Sequence, residues 1–92
     1  MTDPRFAAFR TEHLAQGFDE VLERQWKPGT VIDTHTHAFA VKALVVQGEL
    51  WLTVGADTQH LRAGDPFELA PEVPHAERYG PEGATYWVAR RN

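Results

Sequence analysis

The chain has 92 residues, a formal net charge of −4 and no cysteine. Its length suits one domain, and the lack of cysteine excludes disulfides, thiolate metal ligands and thiol catalysis. Lysine and arginine are scattered without a basic stripe, which argues against nucleic acid or a membrane surface as a partner. We interpret Arg90-Arg91 as a solvated tail. Because no signal-peptide pattern or membrane-spanning stretch is present, we expect a cytoplasmic protein.

The N-terminal segment predicts one short helix. Asp3 is a suitable N-cap, and Pro4 fits the first helical position. Four side chains then recur at helical spacing on one face: Phe6, Phe9, His13 and Leu14. Gly17 is expected to end the helix. We therefore predict that residues 1–17 form a helical extension and that residues 18–92 form a β-barrel domain.

After Gly17, short β-compatible runs alternate with turn signals. The predicted strands are residues 18–26, 30–37, 41–46 and 49–54, a run near Leu61, and residues 67–69, 75–79 and 85–89. The clearest turn signals are Lys27-Pro28-Gly29, Gln47-Gly48 and Gly80-Pro81-Glu82-Gly83. About seven or eight short strands with no helix between them predict an all-β barrel or sandwich with antiparallel pairing.

Three histidines form a candidate metal site. His35 and His37 lie two residues apart on a predicted strand, where such positions point to the same face. His75 follows Pro74 at the start of another predicted strand. If these strands are neighbours, three imidazoles can hold a divalent metal and leave coordination positions open. The alternative is a pair of surface or hydrogen-bonded histidines, since one such pair is unremarkable among five histidines.

These residues resemble the two sequence motifs of the cupins, which are small double-stranded β-helix (jelly-roll) barrels of the RmlC-like type. The first motif has a glycine, five residues, His-x-His, a glutamate and a second glycine. The second motif has a glycine, a Pro-x-Gly unit, a histidine and a final asparagine. The matching residues are Gly29, His35, His37, Gly48, Gly64 and His75. The resemblance covers residues 18–87 and implies a cupin barrel in which the three histidines bind a metal.

Several positions depart from the cupin motifs. Val41 stands where the first motif has glutamate, and Lys42 is next to it. Ala70, Glu72 and Tyr79 replace the proline, glycine and asparagine of the second motif. The remaining three-histidine set resembles that of cysteine-dioxygenase-like and diketone-cleaving cupins. We expect Val41 to point inward and Lys42 to face solvent, because a buried lysine beside a metal is costly.

Three neutral imidazoles leave the charge of a divalent ion uncompensated. Such a site should favour an anionic ligand or hydroxide. The sequence leaves the ion open among Fe, Zn, Ni, Mn and Cu. These expectations follow from ligand type, since imidazole suits several of these metals.

Two acidic residues could assist the site. Glu77 shares strand parity with His75, and Asp33 shares it with His35. Glu77 could act as a base, as a partner that orients a ligand, or as a fourth ligand. We expect instead a half-exposed charge near the barrel mouth, because an unpaired glutamate is rarely buried. The same expectation applies to Asp33.

The other two histidines lie outside both motifs. For His13 and His60 we therefore expect solvated or helix-capping roles. No residue stands out as a general base, so the sequence alone does not identify catalytic residues.

Three functions fit the sequence. The first is a metal-dependent enzyme, similar to a dioxygenase, isomerase or lyase, that acts on a small molecule. The second is a small-molecule-binding or sensor cupin without turnover, and the third is a structural cupin. Because the edges of an open jelly roll need cover, we also expect a homodimer.

Overall fold

The computed structural model describes residues 3–92 and contains one helix followed by six strands. The elements are α1 (Pro4–Ala15), β1 (Glu20–Trp26), β2 (Val31–His35), β3 (Ala40–Val54), β4 (Asp57–Arg62), β5 (Pro66–Leu69) and β6 (His75–Arg91). Every strand pair is antiparallel. The predicted all-β fold with a short N-terminal helix is confirmed. No helix within residues 3–92 has the length and apolarity needed to cross a bilayer.

Two long strands replace four of the predicted short ones. Residues 41–46 and 49–54 belong to the single strand β3, and residues 75–79 and 85–89 belong to β6. The predicted turn at Gln47-Gly48 is a bulge, because the register against β6 shifts on both sides of Gly48. Residues 80–83 form the facing irregularity between Tyr79 and Ala84. Bulges bend a strand without ending it, so these glycines mark bends and not chain reversals.

β3 and β6 form the spine of the barrel. The first part of β6 pairs with β2 and the last part with β1, while β3 runs along both. The first part of β3 also pairs with β5 and the last part with β4. The result is two four-stranded halves, β1–β6–β3–β5 and β2–β6–β3–β4, that share one core. Its largest fully buried side chains are Val45, Leu50, Leu52 and Tyr79.

The helix α1 begins as its sequence predicts. The Asp3 side chain accepts a hydrogen bond from the Arg5 amide at 2.8 Å, and Pro4 occupies the first turn. Phe9 packs against Trp87 and Ala89 on the outer side of β6. The helix is therefore held by a second, smaller apolar cluster outside the barrel. The domain boundary between residues 17 and 18 stays a prediction, and residues 1–2 lie outside the described chain.

His13 is buried, so the predicted solvated or capping role is wrong. Only 4% of the residue is exposed, and its ring stacks on Phe9 with centroids 3.9 Å apart. Its Nδ1 donates to the Phe9 carbonyl oxygen at 2.7 Å. This hydrogen bond to the preceding helical turn compensates the burial of the polar ring.

The close approach of the strands at Gly48 leads to a prediction about the free energy of unfolding. Gly48 has φ 73°, and a Cβ at this position would collide with the Gly83 carbonyl oxygen. Gly55 has a similar φ of 60°, but nothing lies within 4 Å of a Cβ there. Gly55→Ala should lower the free energy of unfolding by about 1 kcal/mol through backbone strain alone. Gly48→Ala should lower it by about 3 kcal/mol, since steric overlap adds to the same strain.

Urea denaturation of both variants measures this difference. Equal losses of stability in the two variants would contradict the close approach of β3 and β6 at Gly48.

Candidate metal centre

The structure brings the three predicted histidines together. Each of His35, His37 and His75 offers one ligand atom, and these atoms all lie within 4.8 Å of one another. The ring centroids of His35 and His75 are 4.3 Å apart, and those of His37 and His75 are 4.7 Å apart. Within residues 3–92, no other group of three potential ligands satisfies the same condition.

The convergence depends on a bulge in β2. His35 pairs directly with His75 across β2 and β6, while the register shifts between Ile32 and His35. β2 ends at His35, so His37 lies in the following loop and not on the predicted strand 30–37. The His37 carbonyl accepts a hydrogen bond from the Glu72 amide at 2.8 Å. This contact ties the His37 loop to the segment that leads into β6.

Backbone carbonyls select the tautomer of the three rings. The Nδ1 atoms of His35 and His75 each lie 2.9 Å from the carbonyl oxygen two residues earlier. The Nδ1 of His37 lies 3.4 Å from the Phe39 carbonyl oxygen. Because a carbonyl only accepts, these hydrogen bonds assign the proton to Nδ1. The Nε2 lone pairs are then free to bind a metal, which is the arrangement that orients metal-binding histidines.

His37 is held in its neutral form. Burial lowers the pKa of His37, and the neighbouring His75 lowers it further. The ring also stacks on Phe39 with centroids 4.4 Å apart and planes 4° apart. A neutral imidazole is the form that binds a metal.

Glu77 points into the site, so the predicted half-exposed position is wrong. Only 8% of the residue is exposed, and its Oε2 lies 3.8 Å from His35 Nε2. The Tyr79 hydroxyl donates to Glu77 Oε1 at 2.7 Å. The sequence showed the parity of Glu77 with His75. It could not show that Tyr79, in the asparagine position of the motif, would supply the hydrogen bond that makes burial tolerable.

Asp33 does not share the inward face of His35. Its side chain is exposed because the bulge between Ile32 and His35 breaks the strict alternation that parity assumes. Only its carbonyl group contributes, as the acceptor for His35 Nδ1. An assisting role for the Asp33 carboxylate therefore has no support in the geometry.

The remaining sequence expectations have mixed outcomes. Val41 points inward as predicted, with 7% exposed. Lys42 is half-buried on the outer side and lies near Gln59 and Glu68, away from the histidines. His60 is exposed as predicted, and its Nε2 lies 3.1 Å from Glu49 Oε1.

The histidines line a cavity of about 140 Å³, whose lining also includes charged side chains that the sequence did not predict there. Its apolar walls are Trp26, Ile32, Phe39, Val41, Phe67, Leu69 and Val88. Arg24 and Arg90 also line it, together with Glu77 and Tyr86. Arg90 is therefore not part of a solvated tail. Strand alternation continued from Tyr86 and Val88 would have placed Arg90 on the same inward face. The predicted strand ended at residue 89, so this pattern was not extended to Arg90.

Sequence and structure comparisons place the chain in a family. The family model of the AraC-like ligand binding domain matches residues 17–90. Because this match covers most of the chain, the protein belongs to that family, and its fold is a cupin double-stranded β-helix.

Three solved structures illustrate the likeness. An uncharacterized conserved protein with a double-stranded beta-helix domain from Klebsiella pneumoniae is 26% identical, with a TM-score of 0.67 over 77% of this chain and 64% of that one. An RmlC-like cupin from Shewanella frigidimarina is 24% identical, with a TM-score of 0.67 over 78% and 65%. A structure of the DMSP lyases RdDddP and RnDddQII gives 23% identity and a TM-score of 0.72 over 78% and 37%. The chain thus spans less than two thirds of each of these proteins.

The buried tyrosines make a prediction about alkaline pH. Burial raises the pKa of Tyr79 and of Tyr86, the only two tyrosines in the sequence, and the nearby Glu77 carboxylate raises both further. Their stabilising contribution is complete below the unfolded value of about 10 and is lost as the pH rises above it. Tyrosinate absorbance should therefore appear together with the loss of β-sheet circular dichroism. Tyrosinate formation in the folded protein, near pH 10, would contradict the burial of the pair.

Proposed function

We propose that His35, His37 and His75 hold a divalent metal and that this small cupin acts on a small molecule bound beside it. The supporting observation is the mutual approach of the three ligand atoms to within 4.8 Å with their Nε2 positions free. An imidazole donor set suits Fe, Zn, Ni, Mn or Cu to different degrees, and it leaves positions open for a substrate. When bound, the ion would polarise a substrate oxygen or activate water or dioxygen.

Glu77 is the group best placed to move a proton at this site. Its carboxylate faces the Nε2 side of His35, whereas the Nδ1 side is already occupied by a carbonyl. It therefore does not orient His35 through the far ring nitrogen. It is also absent from the set of atoms within mutual ligand distance. Of the three roles that the sequence allowed, proton acceptor or donor fits better than orienting partner or fourth ligand.

The reaction class is a dioxygenase, isomerase or lyase reaction on a small molecule. The cavity supports this proposal because the three histidines and a buried carboxylate line it together with apolar side chains. The fold that the chain shares with DMSP lyases is consistent with the lyase alternative.

A second candidate is a small-molecule-binding or sensor cupin without turnover. The match of residues 17–90 to the AraC-like ligand binding domain favours it, since that family is described by binding. In either case the partner is a small-molecule ligand and not a nucleic acid or a membrane. The expected homodimer and cytoplasmic location belong to this proposal as well.

Removal of a single ligand histidine tests the metal site. His75→Ala should abolish stoichiometric retention of Zn(II) or Fe(II), because two imidazoles hold a divalent ion much more weakly than three. His60→Ala is the matched control, since His60 is an exposed histidine outside the cavity, and it should retain the ion. Elemental analysis after gel filtration measures both. Equal metal content in the two variants would overturn the proposed site.

Replacement of Glu77 by glutamine tests whether the site catalyses a reaction. The Fe(II) form is incubated with thiols, diketones and catechols while oxygen uptake is followed. If a substrate is consumed, Glu77→Gln should keep the metal and lower the rate by about 10²–10⁴-fold, because the amide cannot accept the proton. The same rate in both proteins would contradict the acid–base role. Absence of uptake by the wild type across the panel would contradict the dioxygenase assignment.

A further inference from the structure

Two arginines face the cavity without forming an ion pair in the part of the chain that the structure describes. Within residues 3–92, no carboxylate lies within ion-pair distance of Arg24 or Arg90. The Nε atom of Arg90 is buried and has no hydrogen-bond partner. Buried polar groups of native proteins are nearly always paired, and an unpaired donor is destabilising. The protein itself therefore leaves part of this guanidinium unsatisfied.

Aromatic rings orient both guanidinium groups. The Arg90 Cζ lies 4.7 Å from the centroid of Phe39, and the Arg24 Cζ lies 4.9 Å from that of Trp26. Stacking on a ring covers the face of a guanidinium and leaves its N–H edge available. That edge is the part that binds a carboxylate through two parallel hydrogen bonds.

The register of β3 and β6 places Arg90 opposite the residue that replaces the glutamate of the cupin motif. Arg90 pairs directly with Val41, the residue that stands where the cupin motif has glutamate. A ligand carboxylate in this part of the cavity would occupy the region that a glutamate side chain at position 41 would reach. Arg90 would then supply its counter-charge, beside the three histidines.

The net charge of the side chains that line the cavity agrees with a ligand carboxylate beside Arg90. Two guanidiniums and one carboxylate face the cavity, so the lining is cationic even with neutral imidazoles. A divalent ion at the histidines would make it more so. The volume of about 140 Å³ is below that of drug-sized pockets, and most of the walls are apolar.

We propose that the ligand is a small monocarboxylate with an apolar body and that Arg90, supported by Arg24, is the residue that selects its carboxylate. This inference rests on the proposed function for the position of the metal. The selection by Arg90 can be measured with or without the ion.

Matched pairs of probes test the selection. Acetate, isobutyrate and benzoate are titrated by calorimetry into the full chain, each against its neutral amide of nearly the same shape. At least one carboxylate should bind about tenfold to hundredfold more tightly than its amide, the range expected for hydrogen bonds to a charged group. The preference should disappear in Arg90→Gln and persist in Arg91→Gln, which removes the adjacent exposed arginine from the opposite side of β6.

Two further measurements make the outcome decisive. Arg90→Lys keeps the charge but lacks the planar fork, so it should retain a reduced preference even if Arg90→Gln folds poorly. Metal content is determined on the same samples, so that loss of the ion and loss of carboxylate selection are separate results. No preference in the wild type, or an undiminished preference in Arg90→Gln, would overturn the inference. Absence of metal in the wild type would instead overturn the proposed function.

Discussion

The antiparallel pairing of β6 with β2 is the constraint on which the site depends. Because His35 lies directly opposite His75 in this register, two of the three imidazoles meet without any contribution from a loop. The bulge between Ile32 and His35 is essential, since strict alternation after Ile32 would turn His35 to the outer face. The long pairing of β6 with β3 then holds this corner against the rest of the barrel.

Hydrogen bonds hold the polar groups inside the barrel in fixed orientations. Backbone carbonyls select the tautomer of His35 and His75, and the Tyr79 hydroxyl donates to one oxygen of Glu77. The second oxygen of Glu77 stays directed toward His35. Each of these side chains therefore uses one polar atom for a hydrogen bond within the protein and directs its other polar atom to the cavity. Preorganisation of this kind limits the reorganisation that a reaction or a binding event has to overcome.

The sequence predicted the parts of the molecule that depend on local spacing. The spacing of His35, His37 and His75 predicted the histidine cluster, and the alternation of β-compatible runs with turn signals predicted the all-β fold. The helix start at Asp3-Pro4 was predicted for the same reason, because capping is a local property. Gly48 shows the limit of such reasoning, since glycine is compatible with both a reversal and a bulge. Only the partner strand decides between them.

Tertiary contacts explain the residues whose environment the sequence did not predict. Glu77 is buried because Tyr79 lies beside it, and His13 is buried because a carbonyl in its own helix accepts its proton. Arg90 is directed inward by the register of β6 against β3. The bulge in β2 breaks the parity that Asp33 would share with His35, so the Asp33 side chain is exposed. Glu72 adopts φ 63° in the glycine position of the motif, held there by its hydrogen bond to His37.

Electron paramagnetic resonance of the Cu(II)-loaded protein tests the central claim most directly, because nitrogen hyperfine couplings count the imidazoles bound to the ion. We expect three coordinated imidazole nitrogens in the wild type and two after replacement of His37 by alanine. A spectrum with one imidazole or none, or one that is unchanged by that replacement, would show that the ion binds elsewhere and would contradict the account.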